Sequence, residues 1–321
     1  MDHADEGDNN DIVFIYMGGS VPQHLRDIIT HIRIHESVKI ITARAFQKCI
    51  SLESVEMHAG VEIIEEGAFY RCTSLRGIIL PGVKVIEDNA FNNCTALENV
   101  EFGAKLETIG SAAFAFTFLR TIKIPKVRVI GLCAFYECLH LTDVKFSKDL
   151  ETIGNWAFKD CHCLRRIFIP LKENLLDEDT FDNCGDLSKV DLVGGIHKTV
   201  SSLLLDSWRN EMNDEIDRIN RDLPSTPVDD KTTTIRRWME RVLERIDYYK
   251  SEHYTLLKEF TTLLELALWK ANLDENVVED AAAREEVRVT RGHRKRARKG
   301  RCITSGASVV IKNVLPFLKL E

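Results

Sequence analysis

Hydrophobic and polar positions repeat with a step of 21–23 residues from about residue 45 to residue 192. Each copy begins with a small residue and a phenylalanine, at Ala45-Phe46, Ala68-Phe69, Ala90-Phe91, Ala113-Phe114, Ala134-Phe135, Ala157-Phe158 and Thr180-Phe181. Three residues after each phenylalanine comes a cysteine, or a threonine in the fourth copy, at Cys49, Cys72, Cys94, Thr117, Cys138, Cys161 and Cys184. Self-similarity at a fixed period predicts a repeat architecture.

The second half of each copy predicts a β-strand. A leucine precedes it, at Leu52, Leu75, Leu97, Leu119, Leu141, Leu164 and Leu187. The following residues alternate between apolar and polar, as in Ser54–Met57 and Thr121–Ile124, and this period of two is typical of a strand with one buried face. A partial copy at His31–Ile34 raises the number of predicted strands to about eight. Because a single copy cannot bury its own apolar residues, we expect a stacked parallel-sheet solenoid with one continuous core.

The residue after the repeat leucine nearly alternates in charge along the predicted stack, at Glu53, Arg76, Glu98, Arg120, Thr142 and Arg165. In a parallel stack these side chains would be neighbours, and opposite charges side by side stabilise by roughly 0.2–1 kcal/mol per pair. Two interpretations remain open. The column is either an ion-pair ladder that sets the register or a mixed-charge surface that recognises a partner.

The repeat pattern small-Phe-x-x-Cys-x-x-Leu, followed by a strand, resembles BspA-type leucine-rich repeats over roughly residues 30–195. The resemblance implies an α/β leucine-rich-repeat solenoid with a parallel sheet that is used for protein binding. The fourth copy departs from the pattern because it is one residue short, and Leu175-Leu176-Asp177 replaces the usual Ile-Gly before the last copy. The C-terminal third is similar to the tails of such proteins in unicellular algae, at Trp238-Met239-Glu240 and Ile311–Pro316, and this similarity implies no defined activity.

Beyond residue 196 the hydrophobic period changes from two to 3.6, which predicts helices over about 199–221 and 233–273. The second helix carries an apolar stripe with steps of four and three, at Ile235, Met239, Val242, Ile246, Tyr249, His253, Leu256, Phe260, Leu263 and Ala267. This heptad spacing suits an antiparallel hairpin with the first helix or packing along the solenoid, but also a coiled coil with another chain. The short, Pro-containing connection Leu223–Asp230 favours the hairpin and a monomer.

Composition and charge exclude several other classes of function. A net charge of −7 argues against nucleic-acid binding by the whole surface. We expect a cytoplasmic protein, or alternatively a nuclear one, because the acidic segment Met1–Asn10 has no signal-peptide pattern and no apolar stretch is long enough to cross a membrane. The nine cysteines are then expected to be reduced, and their repeat spacing does not match that of zinc ligands. We predict no metal, no cofactor and no catalytic residues, since the sequence contains neither His-Glu-x-x-His nor Gly-x-Ser-x-Gly.

One strongly basic run interrupts this acidic chain. Residues 291–301 hold seven lysines and arginines, and the site residues predicted within the run are Arg294, Lys295, Arg296, Arg298 and Lys299. Such a run is typical of a nuclear-import signal or a nucleic-acid-binding patch, and equally of a solvated linker. It carries the alternative function, that of a nucleic-acid-associated or nuclear protein.

The predicted organisation is therefore an N-terminal tail and cap (1–29), a leucine-rich-repeat solenoid (30–195), a helical hairpin or coiled-coil segment (196–275), and a basic tail with an apolar C-terminal segment (276–321). The predicted function is that of a non-catalytic scaffold that binds a protein partner through the sheet face. The partner-binding residues predicted on that face are Arg76, Glu101, Lys123, Lys145 and Arg165.

Overall fold

The computed structural model describes residues 13–193 and 206–286, and side chains within 13–193 and 210–270. The chain divides into two compact units, one made of residues 1–200 and 209–245 and the other of residues 201–208 and 246–321. The elements are β1 (Val13–Tyr16), β2 (His31–Ile34), β3 (Ile40–Ile41), β4 (Ser54–Glu56), β5 (Ile63–Ile64), β6 (Gly77–Leu80), β7 (Val85–Ile86), β8 (Asn99–Phe102), β9 (Thr108–Ile109), β10 (Thr121–Lys123), β11 (Val129–Ile130), β12 (Asp143–Lys145), β13 (Thr152–Ile153), β14 (Arg166–Ile169), β15 (Lys189–Leu192), α1 (Asp206–Asp222) and α2 (Lys231–Glu286).

The strands of the first unit form a parallel solenoid, as the repeat predicts. The longer strands stack in the order β1-β2-β4, β6-β8 and β10-β12-β14-β15, and the two-residue strands form a second sheet, β3-β5-β7-β9-β11-β13. Strand β1 extends the stack into the segment that the sequence assigns to the N-terminal cap. The break between β8 and β10 falls in the fourth copy, the one that is a residue short. In residues 13–193 the only helical turn is the short 3-10 helix Gln23–Leu25, so tight turns and short strands complete each repeat.

The repeated phenylalanines form a continuous column in the core. Adjacent rings from Phe46 to Phe181 lie 5.0–5.6 Å apart between centroids, and each is fully buried. The Tyr16 ring closes the N-terminal end, 4.7 Å from the ring of Phe46, and its hydroxyl donates to the carbonyl of Gly19. Offset or tilted aromatic contacts of this kind add about 0.5–1.5 kcal/mol each beyond the area they bury.

The cysteine column has a structural role beside these rings. Each thiol after the first donates to the phenylalanine carbonyl of the preceding copy, as Cys94 does to Phe69 at 3.0 Å and Cys184 to Phe158 at 3.0 Å. The described cysteines are free and those of the column are buried. Burial raises the pKa of the Cys184 thiol to about 12, which keeps the donor protonated at neutral pH. A small apolar residue with one weak donor explains the preference for cysteine at this position.

A tight corner follows each phenylalanine of the repeat. A residue with positive φ stands two positions after it in all seven copies, for example Lys48 at 61° and Asp160 at 61°. We call the part of the stack formed by one copy of the repeat a rung. The backbone N–H at this corner donates to a carbonyl of the next rung, as Lys48 does to Tyr70 at 2.7 Å. Conformations of this kind are costly for residues other than glycine, and the rung-to-rung hydrogen bonds hold them in place.

Glycine is required at a further corner in the fifth and sixth copies of the stack. A Cβ added to Gly131 would lie 2.7 Å from the carbonyl carbon of Gly110, and one added to Gly154 would lie 2.8 Å from that of Gly131. Contacts this short do not occur for real side chains. The backbones of successive rungs can therefore approach at this corner only because neither residue has a side chain.

The C-terminal edge of the solenoid is closed by the helical part of the first unit. The Lys231 ammonium donates to the carbonyls of Gly185 and Leu187, both at 2.7 Å. The Phe181 N–H donates to the Thr232 hydroxyl at 2.8 Å, and the Val190 N–H to the side-chain carbonyl of Asn220 at 2.8 Å. An uncovered last strand would expose its unpaired backbone groups, so these side chains act as a terminal cap.

Within the first unit α1 and the beginning of α2 form an antiparallel hairpin, the arrangement favoured from the sequence. Trp238 is fully buried and its indole N–H donates to the carbonyl of Glu215 at 3.0 Å. The Arg245 guanidinium lies 2.5 Å from the carboxylate of Glu211. The buried carboxylate of Glu215 is held by Arg218 at 2.9 Å.

The remainder of α2 belongs to the second unit and extends past the predicted end near residue 273. No glycine or proline lies between residues 274 and 286, so nothing in the sequence stops the helix there. The apolar stripe does not stay buried along it, because Leu256 and Leu263 are 38% and 57% exposed. Within residues 13–193 and 206–286 no helix combines the length and apolar character needed to cross a membrane.

Candidate interaction surface

The outward row of the longer strands is the most regular exposed surface of the solenoid. Alternate residues of the longer strands are the less exposed ones, and in most of these strands they are buried, so the residues between them face away from the core. We call the following residues the outward row: Ile15, Arg33, Glu56, Ile79, Glu101, Lys123, Lys145, Phe168 and Asp191. Because the strands pair in register, neighbours in this row lie one strand spacing apart wherever the ladder is continuous.

Charges are paired at the N-terminal end of the outward row. The Arg33 guanidinium contacts the Glu56 carboxylate at 2.5 Å, and the two residues are register partners. The hydrogen bond and the positive charge of Arg33 lower the pKa of Glu56. Both side chains are mostly exposed, so the pair makes a small contribution to stability. At this end of the outward row, the charges of Arg33 and Glu56 therefore neutralise each other.

The C-terminal end of the outward row differs. Lys123 and Lys145 are register partners, and neither ammonium forms an ion pair with any residue in the described parts of the chain. The Lys145 ammonium lies 5.7 Å from the ring centroid of Phe168, the next residue in the row. The guanidinium carbon of Arg166 lies 5.7 Å from the same centroid, and Arg166 also pairs with Asp191 at 3.6 Å. We call Lys123, Lys145, Arg166 and Phe168 the lysine–phenylalanine patch.

The predicted partner-binding residues fall into two groups. Glu101, Lys123 and Lys145 belong to the outward row, and all three are exposed. Arg76 and Arg165 stand one column away, where the chain enters β6 and β14. The structure therefore brings three of the five residues into one row and places the other two beside it.

The sequence left open whether the residues after the repeat leucines, which include Arg76 and Arg165, form an ion-pair ladder or a recognition surface. Their backbones stack on one another, since the Glu98 N–H donates to the carbonyl of Arg76 at 2.9 Å. Arg120 pairs with Glu98 at 3.8 Å, which fits the ion-pair ladder, whereas Arg165 pairs with Asp186 in the next copy at 3.5 Å. These pairs are exposed and each contributes little to stability.

Phe168 and Arg166 are the members of the patch that sequence reasoning did not select. The signal was present in β14, where the outward position between two buried isoleucines holds an aromatic residue instead of a polar one. Aromatic residues are enriched in protein–protein interfaces, so Phe168 beside two lysines is a candidate contact residue.

A cleft lies in the first unit between residues 172–178 and helix α2. The cleft has a volume of about 250 Å³, and four carboxylates and two basic side chains are among its lining groups: Lys172, Glu173, Asp177, Glu178, Arg236 and Glu240. Two nitrogens of the Arg236 guanidinium are buried there and have no hydrogen-bond partner among the described residues. The mixture of charges does not define a ligand class, and the described residues contain no cluster suited to hold a metal ion.

The basic residues predicted as an import or nucleic-acid site, Arg294, Lys295, Arg296, Arg298 and Lys299, lie outside the described residues. That alternative therefore stays a prediction from the sequence.

Comparison with known proteins identifies the repeat. The profile of the BspA type leucine-rich repeat region matches in six copies, over residues 26–131 and 107–207. A leucine-rich repeat protein from Bacteroides ovatus ATCC 8483 is 32% identical with a TM-score of 0.46, and the alignment covers 51% of this chain and 43% of that one. The T. pallidum leucine-rich repeat protein is 27% identical with a TM-score of 0.42, over 57% of this chain and 75% of that one. This chain thus spans less than half of the Bacteroides ovatus protein, and no curated protein matches it.

Proposed function

Because the chain belongs to the BspA-type leucine-rich-repeat family, we propose that it is a non-catalytic scaffold that binds a protein partner through the outward row, centred on the lysine–phenylalanine patch. The observation that carries the proposal is the placement of Lys123 and Lys145 side by side, without counter-ions in the described residues, next to Phe168. A stacked repeat presents such residues on a rigid surface, which lowers the entropic cost of binding.

The patch contrasts with several places in the solenoid where a cation in one copy pairs with a carboxylate in the next, such as Lys84 with Glu62 at 3.0 Å and Arg128 with Glu151 at 2.7 Å. Like charges directly opposite each other in a sheet are destabilising. A partner that supplied carboxylates at this point would relieve that repulsion, so the unfavourable arrangement in the free protein favours binding.

The chemistry of the patch specifies the kind of partner. Two ammonium groups favour carboxylates, and the Phe168 ring offers apolar contact beside them. We therefore infer that the partner presents an acidic segment with at least one apolar side chain. Association through exposed charges of this kind should weaken as salt is raised, because screening acts on both lysines.

The test is a charge reversal in the full chain. The double variant K123E/K145E should capture much less of each partner from a cell lysate than the unchanged protein does, as measured by quantitative mass spectrometry. The control K126E/K148E makes the same change in the same two copies but outside the strands, and both of its lysines are exposed. Capture should survive in this control. Equal capture by both variants would show that the partner uses another surface.

A further inference from the structure

A row of corner residues runs along the solenoid beside the column of phenylalanine rings. It consists of the residues two positions after each repeat phenylalanine, none of which is buried, and we call it the corner row: Lys48, Arg71, Asn93, Phe116, Glu137, Asp160 and Asn183. The backbone N–H of each of the first six donates to a carbonyl of the next rung at 2.7–3.0 Å. The row is therefore regular and presents one side chain for every rung.

Charges of opposite sign are separated along the corner row. The cations Lys48 and Arg71 occupy the first two rungs. The carboxylates Glu137 and Asp160 occupy the fifth and sixth rungs, and the two residues between these groups are uncharged. None of the four charged side chains forms an ion pair with any residue that the structure describes. Neighbours of like charge repel each other, so both ends of the row favour a contact of opposite charge.

The order of charges in the corner row is complementary to itself. When two copies face each other in antiparallel directions about a two-fold axis at the fourth rung, the second rung of one copy lies opposite the sixth rung of the other. Arg71 then faces Asp160 of the second copy. Asn93 faces Glu137 in the same way, and Phe116 faces its own counterpart on the axis. Because the axis repeats each contact, two Arg71–Asp160 pairs form, four strand spacings or roughly 20 Å apart.

The neighbouring column, two residues before each phenylalanine, follows the same symmetry. In the sixth rung it holds Trp156, whose ring is 40% exposed, and in the seventh rung it holds Asp179. In the first and second rungs it holds Arg44 and Gly67, and the Arg44 stem extends over Gly67, with its Cγ 3.5 Å from where a Cβ would stand. The antiparallel arrangement therefore brings Arg44 of the second copy towards the Trp156 ring and the Asp179 carboxylate, both of which attract a guanidinium.

We propose that two copies of this chain associate antiparallel through the corner row, with the two-fold axis at Phe116 and two Arg71–Asp160 pairs as the central charged contacts. A second copy fits this row better than a partner with one sign of charge, which would match only one end of it. The strip is narrow and about 30 Å long, so the dimer should be weak, with a dissociation constant on the order of micromolar, and sensitive to salt.

The dimer goes beyond the proposed function, because no residue of the corner row belongs to the outward row. Failure of either proposal therefore leaves the other intact. The preference for a monomer that the sequence gave concerned the helical hairpin, and the contact through the corner row does not involve that hairpin.

Charge reversal in the full chain, followed by sedimentation velocity at low salt, tests the proposal. The single variants R71D and D160R should each dimerise at least about tenfold more weakly than the unchanged protein, because both central pairs become repulsive. The fold should accept both changes, since arginine and aspartate already occupy this corner at a φ of 61° in different rungs. An equimolar mixture of R71D and D160R should form a dimer as strong as that of the unchanged protein, because each pair then joins opposite charges again.

The matched control is K105D, which reverses an exposed cation of the same solenoid outside the corner row and should leave dimerisation unchanged. A chain that stayed monomeric up to about 100 micromolar at low salt would overturn the proposal. Single variants that associate as strongly as the unchanged protein would also overturn it and assign the contact to another surface. So would a mixture that associates no better than its two components, or a loss in K105D equal to that in R71D.

Discussion

The two parts of α2 share one sequence pattern but differ in what covers them. In the proximal part, within the first unit, the stripe residues Ile235, Met239 and Val242 are buried and Trp238 is fully enclosed. In the distal part, Leu256 and Leu263 continue the stripe and stay substantially exposed. The difference teaches that heptad spacing predicts an apolar face but does not determine how much of that face is buried.

The proximal part also has contacts that a hydrophobic pattern does not encode. Lys231 and Thr232 bind backbone groups of the last copies, and Trp238 binds a carbonyl of α1. Each polar contact has a fixed partner, so the proximal part is specified by geometry as well as by apolar area. The distal part has a broad apolar surface that several partners could cover. The following predictions test this difference, beginning with the largest effect.

Trp238→Ala should give the largest loss. The substitution removes a fully buried side chain and leaves the carbonyl of Glu215 without its donor, so the free energy of unfolding should fall by about 3–5 kcal/mol. Leu263→Ala, at an exposed position of the same stripe, should change it by no more than about 0.5 kcal/mol. Urea unfolding followed by circular dichroism measures both. Similar losses would mean that the distal part is packed as tightly as the proximal part.

Lys231→Met should have an intermediate effect. Methionine keeps most of the apolar stem but leaves the carbonyls of Gly185 and Leu187 unpaired, which costs about 1–3 kcal/mol. The control is Lys250→Met in the distal part, where the side chain is 61% exposed and pairs with Asp247 in its own helix. Its effect should stay within about 0.5 kcal/mol. An equally stable Lys231 variant would argue that the last rung needs no such cap.

Thr232→Val is expected to cost about 1 kcal/mol, since the near-isosteric change keeps the packing and removes only the acceptor of the Phe181 N–H. The same unfolding experiment measures it. Thr261→Val in the distal part is the matched control, because that hydroxyl donates within its own helix and is exposed. If both substitutions were neutral, the last rung would be held by apolar packing alone.

Much of the fold could be predicted from the sequence because the same pattern of core and strand positions recurs in seven copies. The stacked strands and the buried phenylalanines and cysteines are confirmed, and the two helices pack antiparallel within residues 209–245. What could not be predicted depends on contacts between residues far apart in sequence. The cap formed by Lys231 has no local pattern, since a lysine at a helix start is ordinarily solvated. Helix α2 also extends beyond its predicted end, because the composition of residues 274–286 contains no stop signal.

The outward row shows the same limit. Alternation within the strands predicted that Glu101, Lys123 and Lys145 face outward. The repeat period predicts that Lys123 and Lys145 are neighbours, but whether each charge has a counter-ion depends on side-chain positions that the period does not specify. Phe168 was passed over because an apolar residue in a strand is ordinarily assigned to the core.

The smallest predicted effect is a dependence on alkaline pH that belongs to the proximal part alone. Burial lowers the pKa of Lys231 below its usual value of 10.5. In the unfolded chain this amine keeps its proton up to that value, so between the folded and the unfolded pKa the unfolded state binds more protons. Stability therefore rises with pH across that window, and the penalty for burying the charge is fully present below it. The unfolding free energy of the unchanged protein, relative to Lys231→Met, should increase as pH approaches 10.5. A relative stability that fell over this range would mean that the contacts with Gly185 and Leu187 outweigh burial and raise the pKa of Lys231.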